Sequence, residues 1–242
     1  MNKISIIIPI LNEAETIENL LYHLIRNLSK ENISEIIIVD GGSTDGSVEI
    51  INTFISGCNP LNTLKDSHIT CILSEKGRAK QMNFGAKHAK AKVLYFLHAD
   101  SFPPKNFDKY ILETVKKGSE AGCFIMKFDS QHWWLKLAGL LTKLNWKACR
   151  GGDQSLFITK TLFNKIGGYN ENFTIYEDNE FIAKLYKIKQ FTVIQKWLTT
   201  SARRYKTNGV WKLQSHFMVI YLKKWLGASP ENLHAYYKKH VV

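Results

Sequence analysis

Acidic side chains stand at the ends of apolar runs in this chain, where they can do chemistry. Asp40 closes Ile36-Ile37-Ile38-Val39 and is followed by Gly41-Gly42-Ser43-Thr44-Asp45-Gly46. Ligands of open α/β sheets bind beyond the carboxyl ends of the strands, so Asp40 stands where a nucleotide's base or ribose is read. It can also cap the turn that follows, and Asp45 suits that structural role better still. Pro9-Ile10-Leu11-Asn12-Glu13 ends the run that begins at Ile4, and His98-Ala99-Asp100 ends the run from Val93. Asn12 doubles as a helix cap, and Glu13 as a first-turn acid complementing the helix dipole. Glu177-Asp178 opens a helical pattern. The pair suits a helix N-terminus, and equally the capture of a proton from a reacting hydroxyl.

Basic and amide groups offer the complementary chemistry. In Glu75-Lys76-Gly77-Arg78-Ala79 the arginine lies near the start of a predicted helix, where an anion is welcome, although a solvated arginine is the plain alternative. Gln81 and Asn83 follow, and Asn83 is the better candidate for a pocket contact. Gly151-Gly152-Asp153-Gln154 reads either as an ordinary turn or as a tight approach with donors and acceptors for sugar hydroxyls. Arg203-Arg204-Tyr205 falls on a predicted loop, where the guanidinium groups can grip phosphate in a bidentate way.

Taken in order, these segments resemble family 2 glycosyltransferases, which have the GT-A fold. The resemblance covers roughly the first 205 residues. It implies an inverting transfer from a nucleotide-sugar, with UDP-sugar as the expected donor, to a hydroxyl on a glycan, a lipid-linked or a small-molecule acceptor. It implies that Pro9, Asn12, Glu13, Asp40, Arg78, Asn83 and Asp100 line the nucleotide site. Gly152, Asp153 and Gln154 then face the sugar or acceptor, and Arg203 and Arg204 the diphosphate. Asp178 matches the family's catalytic base, with Glu177 beside it. His98-Ala99-Asp100 stands where the family has Asp-x-Asp, which holds Mg²⁺ or Mn²⁺ across the diphosphate. Asp100 keeps one carboxylate, and His98 replaces the other, leaving its role open between metal ligand, ribose contact and loop shaping.

The elements that must position these residues alternate along the chain. Strand-like runs at 4–10, 35–40, 69–73 and 93–97 are separated by helical patterns near 14–28, 46–56, 78–90 and 104–117. This rhythm predicts a mostly parallel, Rossmann-like α/β sheet with helices on both faces. Residues 57–68 read as a polar loop. After residue 120 the rhythm changes. A strand is expected at 122–128, and a helix at 132–146 with Trp134, Leu137, Leu141 and Leu144 on its packing face. A turn leading into a strand is expected at 151–158, then a helix at 177–187 and a strand at 191–195. A basic amphipathic helix over 208–226 and a short terminal helix complete the pattern. We therefore expect a catalytic domain at 1–205, with a nucleotide half at 1–100 and an acceptor half at 101–205, and a helical extension at 206–242.

The 242 residues suffice for one large α/β core, and 45% hydrophobic with 22% charged residues is ordinary for a globular chain. The amino-terminal run lacks the features of a signal peptide, and no apolar run reaches spanning length. Cys58, Cys71, Cys123 and Cys149 follow no metal-binding spacing, so reduced thiols in a cytoplasmic protein are expected. The net charge of +12 is uneven, since residues 201–242 hold eight Lys/Arg, one acid (Glu231) and seven aromatics. Such a tail suits an anionic surface, and peripheral contact with an anionic membrane is one expectation. The Trp133-Trp134 and 208–226 helices read as packing faces, with an exposed Trp-rich basic face as the alternative suited to a lipid-linked acceptor. Nucleic-acid binding by the tail leaves the ordered carboxylates unexplained, so no nucleic acid is expected. A nucleotidyltransferase is disfavoured because the loop after the first strand is Pro-Ile-Leu-Asn-Glu rather than glycine-rich and basic.

Overall fold

The computed structural model describes residues 3–57, 69–151 and 154–241. Its first half is built from β1 (Ile4–Ile10), β2 (Ile33–Asp40), β3 (Ile69–Leu73) and β4 (Val93–Phe96), paired in parallel. Isoleucine and valine dominate these strands because a parallel sheet covered on both faces needs apolar side chains on each. Ile4, Ile6 and Ile8 join one core with Leu20, Leu24, Ile36, Ile38 and Phe54. Alternate residues Ile7, Ile37 and Val39 join a second core with Ala79, Met82 and Ala86. The first core packs beneath α1 (Ile17–Asn27), α2 (Ser47–Ile55) and α4 (Phe107–Lys116). The second packs beneath α3 (Arg78–His88), which sits unusually close to the sheet. A Cβ added at Gly85 of α3 would lie 2.5 Å from Ile7 Cγ2 and 3.0 Å from Val39 Cγ2.

The second half adds β5 (Ser101–Phe102), β6 (Ala121–Phe128), β7 (Leu156–Thr159) and β8 (Thr192–Thr200). The eight-stranded sheet among the described residues has the order β3-β2-β1-β4-β7-β6-β8-β5. β7 is antiparallel to both β4 and β6, β8 is parallel to β6, and β5 is antiparallel to β8. The change of rhythm after residue 120 is thus a change of strand direction. β8 is longer than the expected 191–195, because pairing with β6 continues through Thr200.

Two helical expectations need correcting. The helix expected at 132–146 is α5, Trp133–Leu141, and its buried residues are Leu135 and Gly139. Leu137, Leu141 and Leu144 are exposed instead. The reason is steric: a Cβ at Gly139 would lie 2.9 Å from the Met126 carbonyl oxygen, so this face alone lets α5 settle on β6. Arg203 and Arg204 lie on a helix, α8 (Arg203–Asn208), rather than on a loop. The Asp129 carboxylate accepts the Ala202 amide at 2.6 Å just before it.

The remaining helices are α6 (Lys160–Lys165), α7 (Glu177–Lys187), α9 (Val210–Trp225) and α10 (Pro230–His240). The boundary expected between residues 205 and 206 falls inside α8. Ile220 of α9 and Leu233 of α10 close a small third core with Phe173, just ahead of α7. No helix among the described residues is long and apolar enough to cross a membrane. Cys71, Cys123 and Cys149 are free thiols, while Cys58 and most of the 57–68 loop lie outside the described residues.

Candidate active site

The carboxyl ends of β1, β2 and β4 meet on one edge of the sheet, and the loops leaving them are tied to one another. Asn12 adopts φ 57°, its backbone amide donates to the Ser43 hydroxyl oxygen at 2.9 Å, and its side-chain oxygen accepts from the Thr44 amide at 2.9 Å. The Glu13 amide donates to the Ser47 hydroxyl at 2.8 Å, and the Ala14 amide to the Asp45 carboxylate at 2.9 Å. Asp45 also accepts from the Ser47 hydroxyl, and chiefly that bond draws its pKa below the ordinary 3.8. Asp40 is buried and accepts the Gly42 and Ser43 amides at 3.0 Å and the Ser43 hydroxyl at 2.6 Å. Its carboxylate is therefore held rigidly at the strand end by its own turn.

Beneath these loops lies Gln81, buried within α3. Its amide donates at 2.7 Å to the carbonyls of both Ile10 and Val39, the last-turn groups of β1 and β2. The sequence carries a signal for it: Gln81 lies four residues before Gly85, on the face that touches the sheet. Asn83, expected at the pocket, has its amide on the Tyr169 backbone and on Glu171, bracing the segment after α6.

Three distant segments converge next to this edge. Arg78, at the start of α3, has Nη1 3.2 Å from Glu177 Oε1 and 3.8 Å from Asp178 Oδ2. His98 Nε2, just after β4, lies 3.7 Å from the same Asp178 oxygen. Glu177 and Asp178 are both buried, in the first turn of α7. The anion beside Arg78 is thus the protein's own acid pair. Tyr169 lies nearby, stacked on Phe181 at 4.3 Å. Burial first, and then the Asp178 and Glu177 charges, push its phenol well above 10.0. No periodicity announces Tyr169, whose place depends on how the chain returns after α6.

Asp100 stands at the turn into β5, where its carbonyl accepts the Ser201 amide at 3.1 Å. Two residues on, Arg203 reaches Glu13 at 3.3 Å and Glu15 at 3.6 Å. Arg204 points elsewhere, donating to the Tyr237 hydroxyl of α10 at 2.9 Å. The two arginine side chains thus turn to different partners, Arg203 to the loop after β1 and Arg204 to α10. Among the described residues no group of three His, Cys, Asp or Glu can hold a metal ion unaided. His98 and Asp100 offer one imidazole and one carboxylate. That donor set fits a divalent ion whose remaining positions are filled by diphosphate oxygens and water.

The model of glycosyl transferase family 2 matches residues 5–170, which takes in the loops after β1, β2 and β4 with Arg78 and His98, and ends before Glu177 and Asp178. The chain belongs to that family. An undecaprenyl-phosphate 4-deoxy-4-formamido-L-arabinose transferase of Proteus mirabilis is 24% identical over 207 residues, 84% of this chain and 58% of that protein. An uncharacterized glycosyltransferase of Mycobacterium tuberculosis is 31% identical over 62% of this chain and 56% of its own length. The chain thus spans under three fifths of these relatives. Among solved structures, the mannosyltransferase PcManGT from Pyrobaculum calidifontis, in complex with GDP-Man and Mn²⁺, superposes with a TM-score of 0.68 at 18% identity, over 98% of this chain and 69% of that one. TarS 1–349 of S. aureus in complex with UDP gives 0.64 at 17% identity, over 83% of this chain and 60% of that one. The fold is GT-A.

Of the segment 151–154, expected from the sequence to face the sugar or acceptor, Gly152 and Asp153 lie outside the described residues. Gln154 is buried and committed internally. Its oxygen accepts from Arg150 at 3.0 Å and its amide donates to the Cys149 carbonyl at 2.9 Å. Arg150, also buried, donates further to the Thr142 and Leu144 carbonyls and to Cys123 Sγ. Sequence reading missed this arginine as the organiser of the segment. Burial dominates over Arg150 at Cys123 and raises that thiol to about 11.

Proposed function

We propose that this protein is an inverting glycosyltransferase, moving a sugar from a nucleotide-sugar, UDP-linked in the first instance, to an acceptor hydroxyl. The convergence of His98, Arg78, Glu177 and Asp178 at the sheet's carboxyl edge carries this reading. Asp40, Asn12, Glu13 and the shape of Pro9 line the base and ribose end. Asp178 takes the proton of the acceptor hydroxyl as its oxygen attacks the anomeric carbon. The bond from that carbon to the nucleoside diphosphate breaks, and the diphosphate leaves with the electron pair. Arg78, itself paired with Glu177, and His98 hold Asp178 in place, so the base is oriented before the reaction occurs. Asp100, with His98, would hold Mg²⁺ or Mn²⁺, which when bound neutralises charge on the departing diphosphate. The PcManGT complex with Mn²⁺ supports the metal, though the nucleotide bound there is GDP-Man and that bound to TarS is UDP. The 151–154 segment serves the sugar in this reading, and Arg203 ties α8 to the nucleotide loop through Glu13. The name of the Proteus relative, an undecaprenyl-phosphate transferase, supports a lipid-linked acceptor.

Two measurements test it together. Calorimetry should show UDP or GDP binding more tightly with Mn²⁺ than with EDTA, a difference that Asp100→Ala removes. Asp178→Asn should leave that affinity intact while lowering turnover about 10²–10⁴-fold, the usual worth of a general base. Equal affinity with and without metal would remove the metal, and undiminished turnover would remove Asp178 as the base.

A further inference from the structure

The largest apolar groups that the core leaves out lie on α5, the turn after it, and the outer side of α9. In α9, Trp211, Met218, Leu222 and Trp225 are spaced by seven, four and three residues, so they share one face. All four are exposed, Met218 at 64% and Trp225 at 81%. The opposite face carries Leu213 and Ile220, which are buried. In α5, Trp133, Leu137 and Leu140 form a second exposed stripe, opposite the buried Leu135 and Gly139. Leu144 and Trp146 extend it past the helix end, Trp146 at 68% exposure. Trp211 joins the two stripes, with its ring 5.8 Å from Trp133 and 5.4 Å from Trp134. Apolar surface of this extent marks an interaction site rather than ordinary scatter.

Charge decides the occupant. Residues 130–152 contain four Lys/Arg and no Asp or Glu, and residues 201–230 are also free of acids. Lys136, Lys147 and Lys212 stand exposed among the apolar groups, and so does Lys143, whose ammonium lies over the Trp197 ring at 5.3 Å. Lys223 and Lys224 are engaged elsewhere, over the rings of Tyr236 and Phe173. A face that is basic throughout repels a second copy of itself and matches an anionic surface. Tryptophan and leucine beside lysine are the groups that enter a bilayer interface while the charge meets the headgroups. The face also adjoins the catalytic pair. Tyr221 of α9 packs edge-on against Tyr176, the residue before Glu177, at 5.4 Å, and its hydroxyl donates to Asn179 at 3.4 Å.

We propose that α5, its following turn and the outer face of α9 form one docking surface for an anionic lipid bilayer, seating the carboxylate pair beside the membrane. Its value for catalysis rests on the lipid-linked acceptor proposed above; the docking itself does not. The full 242-residue chain is sedimented with vesicles of neutral phosphatidylcholine, or of that lipid with anionic phosphatidylglycerol. Binding should favour the anionic vesicles by about tenfold or more and weaken with salt, because surface charges are screened. Met218→Ser/Leu222→Ser/Trp225→Ser and, separately, Lys136→Glu/Lys143→Glu/Lys147→Glu should each lose about tenfold or more, with UDP affinity by calorimetry unchanged. Lys223→Gln/Lys224→Gln should retain binding. A chain that stays in the supernatant with anionic vesicles at low salt overturns the proposal. So does equal, salt-insensitive binding to both vesicle types, or a dimer by analytical ultracentrifugation that the α9 triple variant dissolves. Vesicle binding without any nucleotide binding would keep the docking surface and overturn the glycosyltransferase reading. Nucleotide binding without vesicle binding would do the reverse.

Discussion

Asp45 joins two loops through a single carboxylate, one oxygen on the Ala14 amide and the other on Ser47. Those bonds need the ionised form, which is why its pKa falls below 3.8. A depressed carboxylate stabilises the folded state fully above its unfolded value and loses that contribution as pH drops through the folded one. Asp45→Ala should therefore lower the melting temperature by a few degrees at pH 7. The gap from the parent protein should narrow once the pH falls below 3.8. A gap that is constant from pH 7 to pH 3 would show that the carboxylate's charge contributes nothing. At the same scale Asp40 and Asp178 differ in kind. Asp40 is saturated by its own turn, whereas Asp178 faces side chains brought from two other segments.

Among the elements, α3 carries the greatest positional demand, since Arg78 and Gln81 both depend on its height above the sheet. Gly85 sets that height, because the Ile7 and Val39 methyls occupy the space where a Cβ would go. Alanine there gains up to about 1 kcal/mol of helix propensity. It also overpacks a stiff β-branched layer, at about 1–3 kcal/mol. Gly85→Ala should thus destabilise by about 1–2 kcal/mol net, a melting shift of about 2–8 °C at this size. Nucleotide affinity should fall as Gln81 is lifted from the ends of β1 and β2. A melting temperature equal to or above that of the parent would mean that α3 can move without cost.

Across the whole molecule, the carboxyl-terminal helices reach back to the catalytic edge. Leu233 of α10 is fully buried against Phe173 and Ile220, and Phe173 lies four residues before Glu177. Leu233→Ala should cost about 2–5 kcal/mol locally, as buried leucines do. Faster amide exchange in α9 and α10 should accompany reduced turnover, with nucleotide affinity little changed. Unaltered exchange in both helices would show that this small core does not hold them.

The sequence by itself determined the strands 4–10 and 69–73, the start of α7 at Glu177, the alternating α/β order and the family, because each rests on local residue type and spacing. Asp45 as a structural cap was equally legible from Ser-Thr-Asp-Gly ahead of a helix, whereas its second bond, to the Ala14 amide, appeared only in the structure. Tertiary structure alone decided what those segments face. The partners of Asp178 are Arg78 and His98, 100 and 80 positions earlier in the chain, separations that no local period predicts, and the direction of β7 and the loop return after α6 bring Tyr169 beneath them. The orientation of α5 followed the same logic. Leucine spacing favoured one face, but only the face bearing Gly139 lets the helix backbone touch β6, and close packing outweighed pattern.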